Sequence, residues 1–290
     1  MFPSVIVPLL VAMALAVTVT TLHRRLPPAL AARTVTVTVV VVVGAAVPTL
    51  WIVSLGYLAH IPFLGNGFAW CAKAFGVHDR IPPWIGLASL ILTVTGTVRA
   101  VRVLRTYRRL RHDRPGSVEI AGHEQPFAFT LPGRGGHIVL SSGLVELLDD
   151  DEQAVVLAHE GAHARFRHDR YLLIAQLAAA TIPMLRPLSS RLQFSVERWA
   201  DEAAVHECGD RRFVAHTLAK VALHHVTPVG ALSFAGLGVP GRVAALLCAP
   251  APTPRSSMLT GLWFAIVATS VLAGFQIHHL ASLVTALCPG

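Results

Sequence analysis

Four long stretches of the chain contain almost no charged side chain. They cover residues 1–22, 35–59, 81–98 and 256–279. A helix needs about 20 apolar residues to cross the hydrocarbon core of a bilayer, which is roughly 30 Å thick. Each stretch is therefore predicted to be a membrane-spanning helix. The β-branched run within 35–59 would suit a buried strand if it were shorter, but its length favours a span.

The composition agrees with a membrane protein. Hydrophobic residues make up 53% of the 290 residues and charged residues 14%, whereas soluble proteins have roughly 45–50% and 25%. No span carries the ionisable residues that substrate or ion pathways usually contain, which argues against a transporter.

The arginines indicate the orientation of the spans. They follow the first span at Arg24 and Arg25 and recur seven times in 99–114, while 60–80 holds few basic residues. Because cytoplasmic loops are rich in Lys and Arg, the N-terminus is expected outside and the first span is expected to be a retained anchor. The predicted order is a cytoplasmic loop 23–34, an outer loop 60–80, a basic juxtamembrane helix 99–114, a cytoplasmic domain 115–255 and an outer tail 280–290.

This topology also accounts for most of the formal net charge of +8. The helix over 99–114 has no aromatic residues placed for base stacking, so we expect it to lie against anionic lipid rather than to bind nucleic acid directly.

The domain over 115–255 begins with strand-like segments. Phe127–Leu131 and His137–Leu140 flank a PGRGG turn, which predicts a hairpin. Asp149 and Glu152 have the spacing of a capping box before a helix. One hypothesis is that His137–Leu140 is an edge strand that pairs with an extended peptide; the alternative is an ordinary hairpin packed on the core.

The predicted helix carries the sequence HEGAH. His159 and His163 are four residues apart, so both imidazoles can reach one ion, and Glu160 lies beside them. Zinc in such a site lowers the pKa of a water molecule to about 7, and a carboxylate then accepts its proton as a peptide carbonyl is attacked. The alternative is a surface helix with scattered histidines.

A catalytic zinc needs a third protein ligand. Phe166 and Asp169 stand where a metzincin has its glycine and third histidine, so that class is excluded. Glu197 and Asp201 share one helical face further along the chain. Glu197 is the predicted third ligand, and Asp201 is predicted to accept a hydrogen bond from a ligating imidazole. In isolation, these carboxylates could instead pair with nearby arginines on the surface.

The segments LSSGLVELLDDDEQAVVLAHEGAHARFRHDR and MLRPLSSRLQFSVERWADEAAV resemble the BlaR/MecR-type integral-membrane zinc metallopeptidases and, more distantly, the HtpX-type and CAAX-prenyl-type membrane proteases. The resemblance covers about residues 126–207. It implies a mainly α membrane protein with a cytoplasmic, gluzincin-like α+β zinc protease domain between the third and fourth spans. It also implies one Zn²⁺ held by His159, His163 and Glu197, with Glu160 as general base.

The resemblance further implies a bacterial plasma-membrane protease in signal transduction, whose substrate is a cytoplasmic protein such as a winged-helix repressor. Antibiotic-sensing members continue into an extracellular penicillin-binding domain, whereas this sequence stops at Gly290, so we expect no such sensor. The alternative function is a non-catalytic membrane receptor or scaffold that binds a partner through the protease fold.

The cysteines add one hypothesis. Cys71 and Cys288 both fall outside on the predicted topology, where a disulfide between them is possible.

Overall fold

The computed structural model describes residues 2–59, 61, 82–111, 116–133, 135–224 and 238–248, together with 260–261, 263–271, 274–275 and 278. Outside these residues lie almost all of the predicted outer loop 60–80, the tail 280–290, much of the predicted fourth span 256–279 and both Cys71 and Cys288.

Three long helices form the N-terminal part of the molecule. Helix α1 covers Phe2–Leu22, α2 covers Pro28–Ala59 and α3 covers Pro83–Leu110. Two helical segments, Pro28–Leu58 and Pro83–Leu110, are long and apolar enough to cross a membrane, and Leu10–Leu22 is a shorter apolar stretch. These lengths indicate membrane association but do not confirm the predicted four spans.

The boundaries of these helices differ from the predicted ones. Helix α2 begins at Pro28, so most of the predicted loop 23–34 belongs to the same helix as the predicted second span. Helix α3 runs without a break to Leu110, so the described part of the basic segment 99–114 continues the helix of the predicted third span.

Helix α3 has two different faces. Its buried positions are all small: Gly86, Ser89, Thr93 and Gly96. The hydroxyl groups of Ser89 and Thr93 lie 3.1 and 3.0 Å from Ser54 Oγ on α2. Large apolar side chains such as Trp84 and Ile91 are exposed on the opposite side. None of the described residues covers this face. Because its side chains are apolar, the face suits contact with lipid.

A small three-stranded sheet follows. Strands β1 (Val118–Ala121), β2 (Ala128–Thr130) and β3 (Ile138–Ser141) are ordered β1-β3-β2. The predicted hairpin is confirmed, since β2 pairs with β3 in antiparallel fashion. The prediction that His137–Leu140 is an edge strand is wrong, because β3 also pairs with β1 and has no free edge. Strand β2 is the edge that faces the histidine-bearing helix.

Six helices complete the described fold between residues 142 and 247. They are α4 (Ser142–Leu147), α5 (Asp150–Arg165), α6 (His168–Thr181), α7 (Arg186–Cys208), α8 (Arg211–His224) and α9 (Val239–Leu247).

The main hydrophobic core is shared between the two parts of the molecule. Val35 and Val39 of α2 pack in one cluster with Ala175 of α6 and with Leu192 and Val196 of α7. Smaller clusters lie within the C-terminal part. The residues of the predicted domain over 115–255 therefore share much of their hydrophobic core with the apolar helices.

Candidate metal centre

Helix α5 presents the two histidines of the HEGAH motif. Its N-terminus is fixed by the predicted capping box: Asp149 Oδ1 accepts a hydrogen bond from the Glu152 amide at 2.8 Å, and Glu152 Oε2 accepts one from the Asp149 amide at 3.1 Å. Glu152 also pairs with Lys220 of α8 at 2.5 Å. The helix is therefore held at the end opposite to His159 and His163.

Helix α7 brings a carboxylate to these histidines. Glu197 Oε2 lies 3.5 Å from His159 Nε2, and Glu197 Oε1 lies 3.6 Å from His163 Nε2. Ligand atoms of these three residues all lie within 4.8 Å of one another. The structure thus brings together the three predicted ligands from two helices that are far apart in sequence.

The spacing of the donor atoms fits one small divalent ion. The Nε2 atoms of His159 and His163 are 3.2 Å apart. Two imidazole nitrogens bound at about 2.0–2.1 Å to one tetrahedral ion lie about 3.3–3.4 Å apart. Two imidazoles and one carboxylate also form a donor set typical of a catalytic zinc site.

Asp201 lies behind His159, as predicted. Its Oδ1 is 3.1 Å from His159 Nδ1, on the ring edge opposite to Nε2. A hydrogen bond here would hold the His159 ring with Nε2 facing the other two predicted ligands, so that Nε2 could bind a metal ion once it loses its proton. Asp201 is itself buried.

Sequence reasoning missed Arg242 of α9. Its guanidinium group donates to both carboxylate oxygens of Asp201, at 2.8 and 2.6 Å, and its third nitrogen lies 2.9 Å from Glu197 Oε2. The side chain is only 8% exposed. Arg242 is the single charged residue of α9, and a lone arginine in an apolar helix is the signal that could have found it.

The electrostatics of the cluster favour positive charge. Burial lowers the pKa of His159, but the contacts with Asp201 and Glu197 outweigh burial and raise this pKa to about 10. Burial would raise the pKa of Glu197 and Asp201, yet Arg242 and the histidines hold both pKa values below their usual range. Two ionised carboxylates that stabilise a protonated imidazole are also suited to stabilise a metal cation.

Glu160 lies beside the cluster on the side of the sheet. It is 8% exposed, and its Oε2 accepts a hydrogen bond of 2.8 Å from the hydroxyl of Thr130 in β2. The same hydroxyl lies 2.9 Å from the Glu160 carbonyl oxygen. The edge strand therefore orients the carboxylate, a contact that no motif in the sequence indicated.

A buried histidine, His168, lies behind His163. Helix α5 ends at Arg165, and Arg167 has a left-handed backbone with φ 55°. Helix α6 then starts at His168, whose Nδ1 lies 3.1 Å from His163 Nδ1. Burial and the neighbouring His163 lower the pKa of His168 to about 3, so this imidazole is neutral.

A largely apolar cavity of about 560 Å³ adjoins the cluster. His159, Glu160 and Arg242 contribute polar groups to its wall. Most of the remaining wall is apolar and includes Val155, Ala204, Val214, Leu218, Val221 and Val243. The site thus combines a polar cluster with an adjacent volume that suits an apolar group.

Two histidines on one helix, a carboxylate on a second helix and a further carboxylate beside them define the site of a metallopeptidase. The chain matches the model of peptidase family M48 over residues 99–262, more than half of its length, and it belongs to this family of metal-dependent peptidases. This range contains every residue of the cluster. No curated protein and no solved structure matches the chain. The more specific resemblance to BlaR/MecR-type proteins is not confirmed by the family match.

Proposed function

We propose that the protein is an integral-membrane zinc endopeptidase of the BlaR/MecR type. His159, His163 and Glu197 would hold the zinc ion, Asp201 would orient His159, and Glu160 would act as the general base. The observation that carries the proposal is the convergence of three ligand atoms within 4.8 Å, with the buried carboxylate of Glu160 next in sequence to His159.

Zinc, when bound, supplies a Lewis acid that lowers the pKa of water and polarises a peptide carbonyl. Glu160 would accept the proton of the attacking water and pass it to the leaving amine. Since Thr130 donates to Oε2 of Glu160, Oε1 is the oxygen assigned to proton transfer. An apolar side chain of the substrate fits the adjacent cavity.

We place the protein in a bacterial plasma membrane with the metal centre on the cytoplasmic side. The two apolar helices support the membrane assignment, and the arginines that follow the spans support the orientation. The substrate class is a cytoplasmic or membrane-associated protein, for which the BlaR/MecR resemblance suggests a winged-helix repressor.

Substitution of Glu160 by Gln tests the mechanism. The amide keeps the size of the side chain but cannot accept a proton, so the full chain in detergent should bind one zinc ion and lose cleavage. A loss of about 10²–10⁴-fold is typical of a missing general base. Zinc content is measured by atomic emission, and cleavage by the digestion of fluorescent casein and of a mixed peptide library.

Glu146→Gln is the matched control, because Glu146 is exposed on α4 and the chemical change is identical. Equal cleavage by wild type and Glu160→Gln would refute the role of Glu160. Zinc binding by a wild type that cleaves neither substrate would support the non-catalytic receptor, which the family match does not favour.

A further inference from the structure

We propose that His168 is a positioning residue that holds His163 in the tautomer required for metal binding. This inference rests on the proposed metal site. It concerns the ring nitrogen of His163 that faces away from Glu197, for which the sequence motif specifies no partner.

The hydrogen bond between the two histidines fixes the position of both ring protons. A neutral imidazole has one N–H group and one lone pair, and the nitrogen that binds a metal must present the lone pair. His163 Nε2 is directed towards His159 and Glu197, so its proton belongs on Nδ1. That N–H donates to His168 Nδ1 at 3.1 Å, and the proton of His168 is therefore on Nε2.

The Nε2 group of His168 has no hydrogen-bond partner among the described residues, and the residue is fully buried. Its ring contacts the rings of Phe166, Tyr171 and Trp199. A phenyl ring would fill this aromatic cluster without burying an unpaired N–H group, which is unfavourable for folding. The presence of histidine, and not phenylalanine, at position 168 is therefore explained by the acceptor at Nδ1 and not by packing.

The backbone before His168 supports the same assignment. Among the described residues other than glycine, Arg167 alone has a positive φ, and a left-handed conformation is unfavourable for a residue with a Cβ atom. This residue lies between the end of α5 and the start of α6, and it allows α6 to begin with His168 beneath His163. Local strain of this kind persists where surrounding contacts require it, often beside functional sites.

Two substitutions separate the acceptor from the packing. His168→Phe keeps an aromatic ring but has no acceptor, whereas His168→Asn keeps an acceptor near the Nδ1 position but loses the ring. We measure the affinity of the full chain in detergent for Zn²⁺ by competition with a chromophoric chelator, and the melting temperature of each metal-free protein.

The two variants should rank in opposite order in zinc affinity and in melting temperature. His168→Phe should weaken zinc binding by about 10–100-fold, as loss of such a supporting hydrogen bond typically does, while His168→Asn should stay within about threefold of wild type. The melting temperature of metal-free His168→Phe should equal or exceed that of wild type, and that of His168→Asn should fall. Wild-type affinity in His168→Phe, or an equal loss in both variants, would overturn the proposal.

Two controls complete the design. Phe166→Leu perturbs the same aromatic cluster but leaves the acceptor of His168 in place, so it should lower the melting temperature and leave zinc affinity unchanged. His163→Ala tests the metal site itself: if it binds zinc as wild type does, or if wild type binds none, the proposed function fails. Tight binding by wild type, weak binding by His163→Ala and wild-type binding by His168→Phe would reject only the role of His168.

Discussion

At the scale of single residues, the candidate metal centre contains a buried arginine. Arg242 pairs with both Asp201 and Glu197, so two carboxylates that lie near each other share one counter-ion. Asp201 is 2% exposed, and an unpaired buried carboxylate is strongly unfavourable. Arg242 therefore allows both acids to remain ionised beside the histidines.

Arg242→Met tests this role, because methionine keeps an unbranched apolar side chain but removes the charge. We expect the free energy of unfolding of the metal-free protein to fall by about 3–5 kcal/mol, the usual effect of breaking a buried ion pair. The loss should be smaller with zinc bound, since the ion supplies positive charge to Glu197. Melting with and without zinc measures both values. Arg212→Met, at an exposed position of α8, is the control; a similar loss there, or none at 242, would contradict the assignment.

At the scale of secondary-structure elements, the capping box fixes where the histidine-bearing helix starts. Asp149 and Glu152 satisfy amide groups at the N-terminus of α5, and the acidic first turn interacts favourably with the helix dipole. Lys220 of α8 donates a hydrogen bond to Glu152 and so attaches this end of α5 to α8. The orientation of His159 and Glu160 relative to β2 depends on this end of the helix staying in place.

Asp149→Ala should lower the free energy of unfolding by about 1 kcal/mol, because an amide of the first turn loses its acceptor. Denaturant-induced unfolding of the detergent-solubilised chain, followed by circular dichroism, measures the change. Asp150→Ala removes the same charge one residue later at an exposed position, without removing the capping bond. Equal effects of the two substitutions would show that charge, and not the capping hydrogen bond, stabilises the start of α5.

At the scale of the whole molecule, the apolar helices and the peptidase fold form one structure. Helix α7 carries Glu197 and Asp201 on one face, while Leu192 and Val196 on another face pack against α2. Arg33 of α2 lies over the ring of Trp199, 5.4 Å from its centre. Tyr107 of α3 donates a hydrogen bond of 2.7 Å to Asp169 of α6. The helix that carries Glu197 is thus supported from the side of the predicted membrane spans.

A fragment of residues 115–255 should therefore fail to form a stable metal centre. Without α2 it would expose the apolar face of α7, and exposed patches of this kind lead to aggregation. We expect the fragment to be insoluble or to bind less than one zinc ion per chain, whereas the full chain in detergent binds one. Size-exclusion chromatography and metal analysis test this. A monomeric fragment with one bound zinc ion would show that the C-terminal clusters suffice for folding.

The sequence by itself determined the local features of this protein. Charge-free stretches of about 20 residues have few alternatives to apolar helices, the Asp149 and Glu152 spacing specifies a helix start, and the spacing of His159 and His163 places both rings on one helical face. Each of these features depends only on residues that are close together in the sequence. The spacing of residue types along the chain is therefore enough to predict them.

Only the tertiary structure decided the contacts between distant segments. It made β3 the central strand and β2 the edge strand, and it placed Thr130 against Glu160. It also brought Arg242 to Asp201 across 41 positions of the chain and turned His168 back beneath His163. These contacts depend on how whole elements pack and on a single left-handed residue at Arg167, neither of which has a periodic signal in the sequence.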